Sequence, residues 1–417
     1  MQVIIDFLVS LNIPYVTEGV ARFIVLLVFA GVVAVAAPAG LIILTWLERK
    51  IIARIQDRLG PNRAGPFGWL QAFADMIKMF TKEDITPANA DRASYNIAPG
   101  LAVFSSIMVF AVIPFAPGFA GTYMNVGLLY IIAIGGLGSI AILMAGWSSN
   151  NKYSLLGAFR AVAMLLTYEV PMVMALVIVA IATGSMSLVA VTEAQGSMWY
   201  VVSMPLVFLI FFLSGVAEVG RSPFDLIEAE SEIIAGFHTE YSGIKFGLFM
   251  IAEYVHMFAL SFFAAVLFFG GWQIPFINVA TLPFPIGSIL GFLSLIVKVF
   301  FFVFVMMWLR GTLPRFRIDQ LLDFGWKFLV PLTLVLLIAS AFVVRLFSPG
   351  SSTGIPVAPG PLSGLGTAGE IIALLITNLV IAVLTMVVVA SAARRSRNQA
   401  LRAVSAVEPV PAGQPGK

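Results

Sequence analysis

Residues 201–271 read VVSMPLVFLIFFLSGVAEVGRSPFDLIEAESEIIAGFHTEYSGIKFGLFMIAEYVHMFALSFFAAVLFFGG, an apolar run, an acidic segment and a second apolar run. Each apolar run has the length and composition that cross a bilayer as a helix. Between them stand six carboxylates, Glu218, Asp225, Glu228, Glu230, Glu232 and Glu240, against one arginine, Arg221. Acids so close to a membrane are costly unless they hold protons, bind cations or face a partner. The segment therefore argues against a passive anchor.

The same alternation extends outward. The chain is 60% hydrophobic and 11% charged, with 35 Phe. Its mean hydropathy is +1.01. That composition predicts an all-α polytopic membrane protein. About nine spans are expected, at 23–46, 97–117, 126–146, 158–183, 199–217, 246–271, 286–309, 328–347 and 370–393. Residues 1–393 read as one integral membrane domain, and 394–417 as a basic, disordered cytoplasmic tail. Asp6 and Glu18 near the N-terminus, with no basic region before the first apolar run, give no sign of a cleavable signal peptide. With no cysteine the chain builds no disulfide, thiolate zinc site or iron–sulfur cluster of its own. Two histidines, His238 and His256, give no positive sign of a haem. No metal site and no resident redox centre are expected.

Basic residues set the expected orientation. All but Arg22, Lys298 and Arg345 of the 24 lie in alternate connections or in the C-terminal tail. By the positive-inside rule those segments are cytoplasmic, which places the N-terminus outside and the C-terminus inside. The net charge of +3 thus reflects topology and not nucleic-acid binding.

The longest inner segment, about 47–96, breaks at Gly60-Pro61-Asn62 and Gly65-Pro66. From Pro66 the residues Leu70, Phe73, Ile77 and Phe80 recur at helical spacing. Gln71, Asp75, Lys78 and Lys82 fall largely off that stripe, which predicts an amphipathic interfacial helix. It reads either as an ordinary surface helix or as one wall of an opening between lipid and a protein cavity.

Ionisable residues also fall inside expected spans. Glu169, closely followed by Pro171, lies ~16 Å into its span and Glu253 ~12 Å, at ~1.5 Å per residue. Lys298 is near the middle of its own span, and Tyr168 neighbours Glu169. Such groups suit a proton relay or fixed ion pairs; Glu218–Arg221, one helical turn apart, is the natural candidate for a fixed pair. Ser222-Pro223-Phe224-Asp225 reads as a helix start, which would set Asp225, Glu228 and Glu232 on one face and couple their titrations. A calcium site is the rival, but the EF-hand pattern is absent.

Four blocks carry a resemblance: ERK…IQDRLGPNRAGPFGWLQAFADMIKMFTKED, GWSSNNKYSLLGAFRAVAMLLTYEVPM, AEVGRSPFDLIEAESEIIAGFHTEYSG and WLRGTLPRFRIDQLLDFGWKFLVPL. In order and spacing, from about residue 20 to 347, they resemble the quinone-binding membrane subunit of respiratory complex I. That family comprises the H subunit of bacterial NADH–quinone oxidoreductase and its mitochondrial counterpart. The ninth span and the basic tail extend beyond the mitochondrial pattern and favour a bacterial inner-membrane member.

The resemblance implies a subunit that docks the peripheral arm, forms most of a quinone tunnel and couples quinone reduction to proton translocation. Helices two to six resemble an antiporter-like half-channel. Arg49, Arg58, Asp75 and Phe224 are expected at the tunnel. Glu169, Glu218, Arg221, Asp225, Glu228, Glu230, Glu232, Glu240 and Glu253 are expected on the proton path, with Tyr168 and Lys298 as further candidates. Quinone, ubiquinone or menaquinone, is the substrate and nothing is bound covalently; electrons come from an iron–sulfur cluster on a neighbouring subunit. Implied partners are the peripheral quinone-module subunits, small membrane subunits and lipid, with NADH bound only on a distant subunit. A homologous subunit of a membrane-bound hydrogenase-type complex and a stand-alone cation transporter stay open, although no inverted internal repeat is apparent.

Overall fold

The computed structural model describes residues 18–226, 234–275, 277, 282–283, 286–347, 361–362 and 366–405. It begins with α1 (Glu18–Ile55), whose 38 residues run ~57 Å and so outlast a ~30 Å hydrocarbon core. The last eight residues of that helix carry Glu48, Arg49, Lys50 and Arg54. A tight turn at Pro66–Gly68 leads into α2 (Gln71–Thr81). No residue of α2 is buried, and Leu70, Phe73, Ile77 and Phe80 are exposed. The expected apolar stripe is therefore present and is left uncovered by the described chain.

The next span, α3 (Arg92–Met108), starts at Asp91, whose carboxylate accepts from the Ala93 N–H at 3.2 Å and the Ser94 hydroxyl at 2.7 Å. It tightens through Val109–Val112 and ends in a small antiparallel hairpin, β1 (Pro114–Ala116) and β2 (Phe119–Ala120). Then follow α4 (Gly127–Ser148) and α5 (Lys152–Thr183). Asn151 caps α5 by accepting from the Tyr153 N–H at 3.0 Å, and Gly184, at φ 70°, terminates it in the left-handed region.

The expected fifth span is not one helix. After the short α6 (Leu188–Ala194), the chain forms α7 (Tyr200–Ser203), breaks at Met204, and resumes as α8 (Pro205–Glu218). Pro205 has no N–H to continue the ladder and disfavours helical backbone at the residue before it. The 14 residues of α8 reach only ~21 Å, short of a full crossing.

The bundle is completed by α9 (Gly243–Phe268), α10 (Ile286–Thr312), α11 (Ile318–Phe324), α12 (Val330–Phe347) and α13 (Gly366–Ser405). A wider turn at Gly325–Leu329 joins α11 to α12, so that Ile318–Phe347 forms a single crossing that starts well before the expected 328. Eight described helices are long and apolar enough to span, with α8 as a further, shorter apolar element. The chain is thus an all-α, multi-pass membrane protein. Its most enclosed helices are α5 and α9, while α1 and α13 lie at the periphery. The C-terminal helix α13 packs on α12 and also touches α7 and α8, beside the break at Met204. Its backbone stays helical to Ser405, past the expected membrane boundary at 393.

Close backbone approach fixes where the loop after α8 returns. A Cβ on Gly157 of α5 would sit 2.7 Å from the Gly236 carbonyl carbon and 2.9 Å from the Phe237 nitrogen, both backbone atoms that cannot rotate away. Gly157→Ala should therefore destabilise the protein by about 1–3 kcal/mol, the range for overpacking. Gly136→Ala, with open space around its Cβ, should not. Thermal inactivation of the membrane complex carrying each variant checks this; equal midpoints would contradict it.

Candidate functional site

Four elements converge on a buried group of charges. Glu48 comes from α1, Arg221 from the turn after α8, Glu253 from α9 and Arg310 from the last turn of α10. The Arg221 guanidinium donates through one terminal nitrogen to both Glu48 oxygens, at 3.0 and 3.1 Å. Its Nε lies 2.9 Å from Glu253 Oε1. Arg310 closes the group by donating to Glu48 Oε1. The Tyr254 ring lies under Arg221, 4.3 Å from ring centroid to guanidinium carbon. Two carboxylates and two guanidiniums balance, which is what permits charges at this depth.

This arrangement corrects the expected Glu218–Arg221 pair. Gly220 takes φ 73° and turns the chain after α8, so Arg221 points toward α1 and α9. The Glu218 carboxylate lies instead 3.8 Å from His256 Nε2.

Glu218 and His256 sit at the junction of two cavities. The larger, about 100 Å³, is lined by Glu218, Glu253, His238 and His256 together with Ser105 and Ser106 of α3. The smaller, about 30 Å³, is lined by Glu169, Glu218 and His256. Cavities of these sizes have room for several and about two waters respectively, at ~10–15 Å³ each. Glycines of α4 make that room. A Cβ on Gly135 would touch Glu218 Oε1 at 3.5 Å, and one on Gly138 would touch the Ser105 hydroxyl at 3.5 Å. Glu253, Glu218 and Glu169 thus line two neighbouring cavities that share Glu218 and His256 in their walls.

The remaining acids of the segment have separate neighbours. Asp225 pairs with Arg315 at 2.8 Å. The turn that carries Asp225 is pinned by Phe316 N–H donating to the Pro223 carbonyl at 3.3 Å, and the Ser222–Pro223 bond is cis. The expected helix start at Ser222 is absent: residues 222–224 turn, and 225–226 are not helical. Glu240 accepts from the Asn151 amide at 2.6 Å, while its carbonyl accepts from the Tyr95 hydroxyl at 2.7 Å. Glu228, Glu230 and Glu232, with the face they were expected to share with Asp225, lie outside the described residues.

Toward the interfacial helix, Arg49 of α1 donates to Asp75 of α2 at 2.6 Å. Arg49, Arg58, Arg63 and Gln71 line an open, basic basin of about 690 Å³. Phe224 is buried edge-on against Tyr168, with centroids 5.1 Å apart, and the Tyr168 hydroxyl donates to the Leu321 carbonyl at 3.0 Å. These two aromatics lock α5, the turn after α8 and α11 together. Lys298 is remote from the acids: its Nζ donates to the Phe269, Gly271 and Gln273 carbonyls at 2.8, 2.8 and 2.5 Å. Trp199 lies beneath it at 4.6 Å. The ammonium holds the turn that follows α9.

Comparison with known proteins fits this architecture. The family model described as NADH dehydrogenase matches residues 26–341. The chain belongs to that family. It is 48% identical over 314 residues to the NADH-quinone oxidoreductase H subunit of Dehalococcoides mccartyi (strain CBDB1), covering 75% of this chain and 85% of the relative. The corresponding protein of Geobacillus kaustophilus is 46% identical over 301 residues, covering 72% and 88%. That of Vesicomyosocius okutanii is 41% identical over 339 residues, covering 80% and 94%.

In this family member, Glu48, Arg310, Tyr254 and His256 are functional candidates that the sequence alone does not single out. Glu48 and Arg310 stand at span ends, where charges are ordinary. Their only sequence signal is that each lies inside a block that carries the family resemblance.

Electrostatics outside the spans follow from the contacts. Burial raises the Asp75 carboxyl, but the Arg49 hydrogen bond, the Arg49 charge and Lys78 outweigh it and hold it below the usual value. Burial would lower the Arg221 guanidinium; Glu253 and Glu48 reverse this and keep it above the ordinary arginine value. Burial pushes His238 down to about 4. It pushes Tyr241 up to about 12, against a hydrogen bond from Ser148.

Two outcomes follow for stability. Arg221→Gln removes the charge that Glu48 and Glu253 share, leaving Glu48 to Arg310, and should cost about 3–5 kcal/mol, the usual loss on breaking a buried pair; an unchanged thermal midpoint of the solubilised complex would refute the cluster's role. His238 has a folded pKa below its ordinary 6.5, so the unfolded chain binds more protons between about 6.5 and 4. Stability should be intact above that window and fall as pH drops through it. His238→Gln should blunt the fall, read as the difference in thermal midpoint between about pH 7.5 and about pH 5.5.

Proposed function

We propose that this chain is the membrane subunit of a proton-translocating NADH–quinone oxidoreductase. It would lie in a bacterial inner membrane, with the N-terminus outside and the C-terminus in the cytoplasm. The observation that carries this is the pair of neighbouring cavities lined by Glu253, Glu218 and Glu169, beside the buried Arg221–Glu48–Arg310 group. A chain that only anchored a complex would have no need of three carboxylates lining cavities inside its helices.

Quinone is the substrate in this reading. Its headgroup takes two electrons from an iron–sulfur cluster on a neighbouring subunit, which this cysteine-free chain does not supply, and two protons to become quinol. The basic basin at Arg49 and Arg58, with Asp75 tied to Arg49, supports a tunnel wall at the face where α1 and α2 meet. The exposed apolar side of α2 supports a lipid-facing entrance for a hydrophobic quinone. Phe224 is assigned to the tunnel only through its turn, because its ring packs on Tyr168.

Coupling runs through the shared arginine. Arg221 divides its charge between Glu48 and Glu253, so a change of charge near Glu48 alters how firmly Glu253 is held. A loosened Glu253 can accept a proton, and the cavities pass the change to Glu218 and Glu169. The half-channel formed by α3 to α9, with the peripheral quinone module and small membrane subunits as partners, conducts the onward step. Asp225 and Glu240 fix the two ends of the acidic segment, against Arg315 and Asn151.

Glu169→Gln keeps the shape and removes the proton. It should lower coupled quinone reductase turnover and proton translocation about tenfold or more in the assembled enzyme, while NADH still reduces the iron–sulfur clusters. Unchanged coupled turnover would remove Glu169 from the path. Co-purification with a nickel–iron hydrogenase in place of an NADH-oxidising module would instead favour the hydrogenase-type reading, and cation flux through the isolated chain in liposomes the transporter reading.

A further inference from the structure

We infer that His256 is itself a proton carrier, set between Glu218 and Glu169 where the two cavities meet. The inference rests on the proposed carboxylate path and adds to it a member that is not a carboxylate. His256 and Glu218 are the two titratable residues that line both cavities. His256 Nε2 lies 3.8 Å from Glu218 Oε1. That is too long for a hydrogen bond, and a rotation that moves either side chain by about 1 Å brings it into range. His256 stands three residues after Glu253 on α9, so both project from one helical face. Its side chain keeps 30% of its surface open although it lies within the bundle, and the spaces it borders are those two cavities.

The groups around it from each packed element limit where a proton goes. From α8 comes Glu218, from α5 Glu169, from α9 itself Glu253, and from the segment before α9 His238. The α3 helix offers the Ser105 and Ser106 hydroxyls, and α4 presents Gly135 and Gly138. The charges of α1 and α10 are committed elsewhere: Glu48 and Arg310 to the Arg221 group, and Lys298 to three carbonyls. Acids therefore bracket the imidazole on both cavity sides, and these cations are held away from it.

The transfer balances without a further reactant. A proton on Glu218 Oε1 passes to Nε2 of the neutral ring, leaving a Glu218 carboxylate beside an imidazolium. The imidazolium then releases the proton on its other nitrogen toward the Glu169 cavity. The ring is neutral again and protonated at Nε2; transfer of that proton to Nδ1 through water, for which the cavities have room, restores the starting tautomer without changing the number of protons on the ring. A carboxylate has one kind of acceptor atom on both faces; an imidazole has two nitrogens that can serve opposite sides. That difference gives a reason for a histidine at the junction of two cavities.

The test uses the assembled complex in sealed membrane vesicles, measuring NADH–quinone turnover, proton uptake and NADH–ferricyanide activity. His256→Gln and His256→Asn should lower coupled turnover and proton uptake ~10-fold, leave ferricyanide reduction unchanged, and remove one ionisation from the pH profile. In His256→Gly, added imidazoles should restore turnover to an extent that follows their pKa, a dependence that space-filling alone does not produce. Wild-type rates and pH profile in both polar variants would overturn the inference, as would rescue independent of imidazole pKa. Glu218→Gln separates the two levels: if it is inactive while the His256 variants are normal, the carboxylate path stands and the histidine step falls. If Glu218→Gln is also normal, both fall.

Discussion

The sharing of one buried guanidinium between Glu48 and Glu253 is the constraint on which the rest of the site depends. Taking these charges out of water costs several kcal/mol per ion, and only mutual pairing with good geometry offsets it. The partners come from α1, the turn after α8, α9 and α10, so the electrostatic requirement is also a packing requirement. Those elements must stay in register for the charges to balance. Arg221 divides its charge between the two acids: one terminal nitrogen donates to both Glu48 oxygens, and Nε forms an ion pair with Glu253 at 2.9 Å. Arg310 gives Glu48 a second cation, whereas Glu253 faces the cavity on its other side. The asymmetry places Glu253 between the arginine group and the cavity.

Two features of the helices make a polar interior possible. The α8 helix starts late because Pro205 breaks the ladder, and its last residue, Glu218, therefore falls among α3, α4 and α9 inside the bundle. The α4 helix offers glycine where a side chain would fill the space beside Glu218 and Ser105. A short helix leaves a flank to be covered at its other end. Contacts of α13 with α7 and α8 place the C-terminal helix at that flank, which gives this addition a physical role in the fold.

Much of this was legible in the sequence, for identifiable reasons. Spans announce themselves by hydropathy, and α2 by a stripe at helical spacing. Glu169, Glu218 and Glu253 stood out because ionisable groups in apolar runs are costly. What stayed hidden was pairing across the chain. Arg221 reaches Glu48 over 173 residues, and Arg310 reaches Glu48 over 262, separations at which spacing carries no information. The nearest acid, Glu218, was the natural guess for Arg221, and a positive-φ Gly220 defeats it. Likewise Lys298 looked like an intramembrane carrier by depth alone. Its three carbonyl acceptors belong to a turn whose return path hydropathy does not reveal.

The acidic segment also changes character once its neighbours are known. Six carboxylates against one arginine suggest a pooled, mutually repelling charge. The described ones do not share an environment: Glu218 faces the cavities, Asp225 is neutralised by Arg315, and Glu240 is held by the Asn151 amide that begins α5. Asp225 and Glu240 thus act as fasteners at the two ends of the segment. In the proposed reading the carrying role falls to groups inside the bundle, where Glu218, His256 and the Ser105 and Ser106 hydroxyls face cavities otherwise walled mainly by apolar side chains and glycine. Charge at the ends of the segment secures geometry, and the proposed path lies among the groups between Glu253 and Glu169.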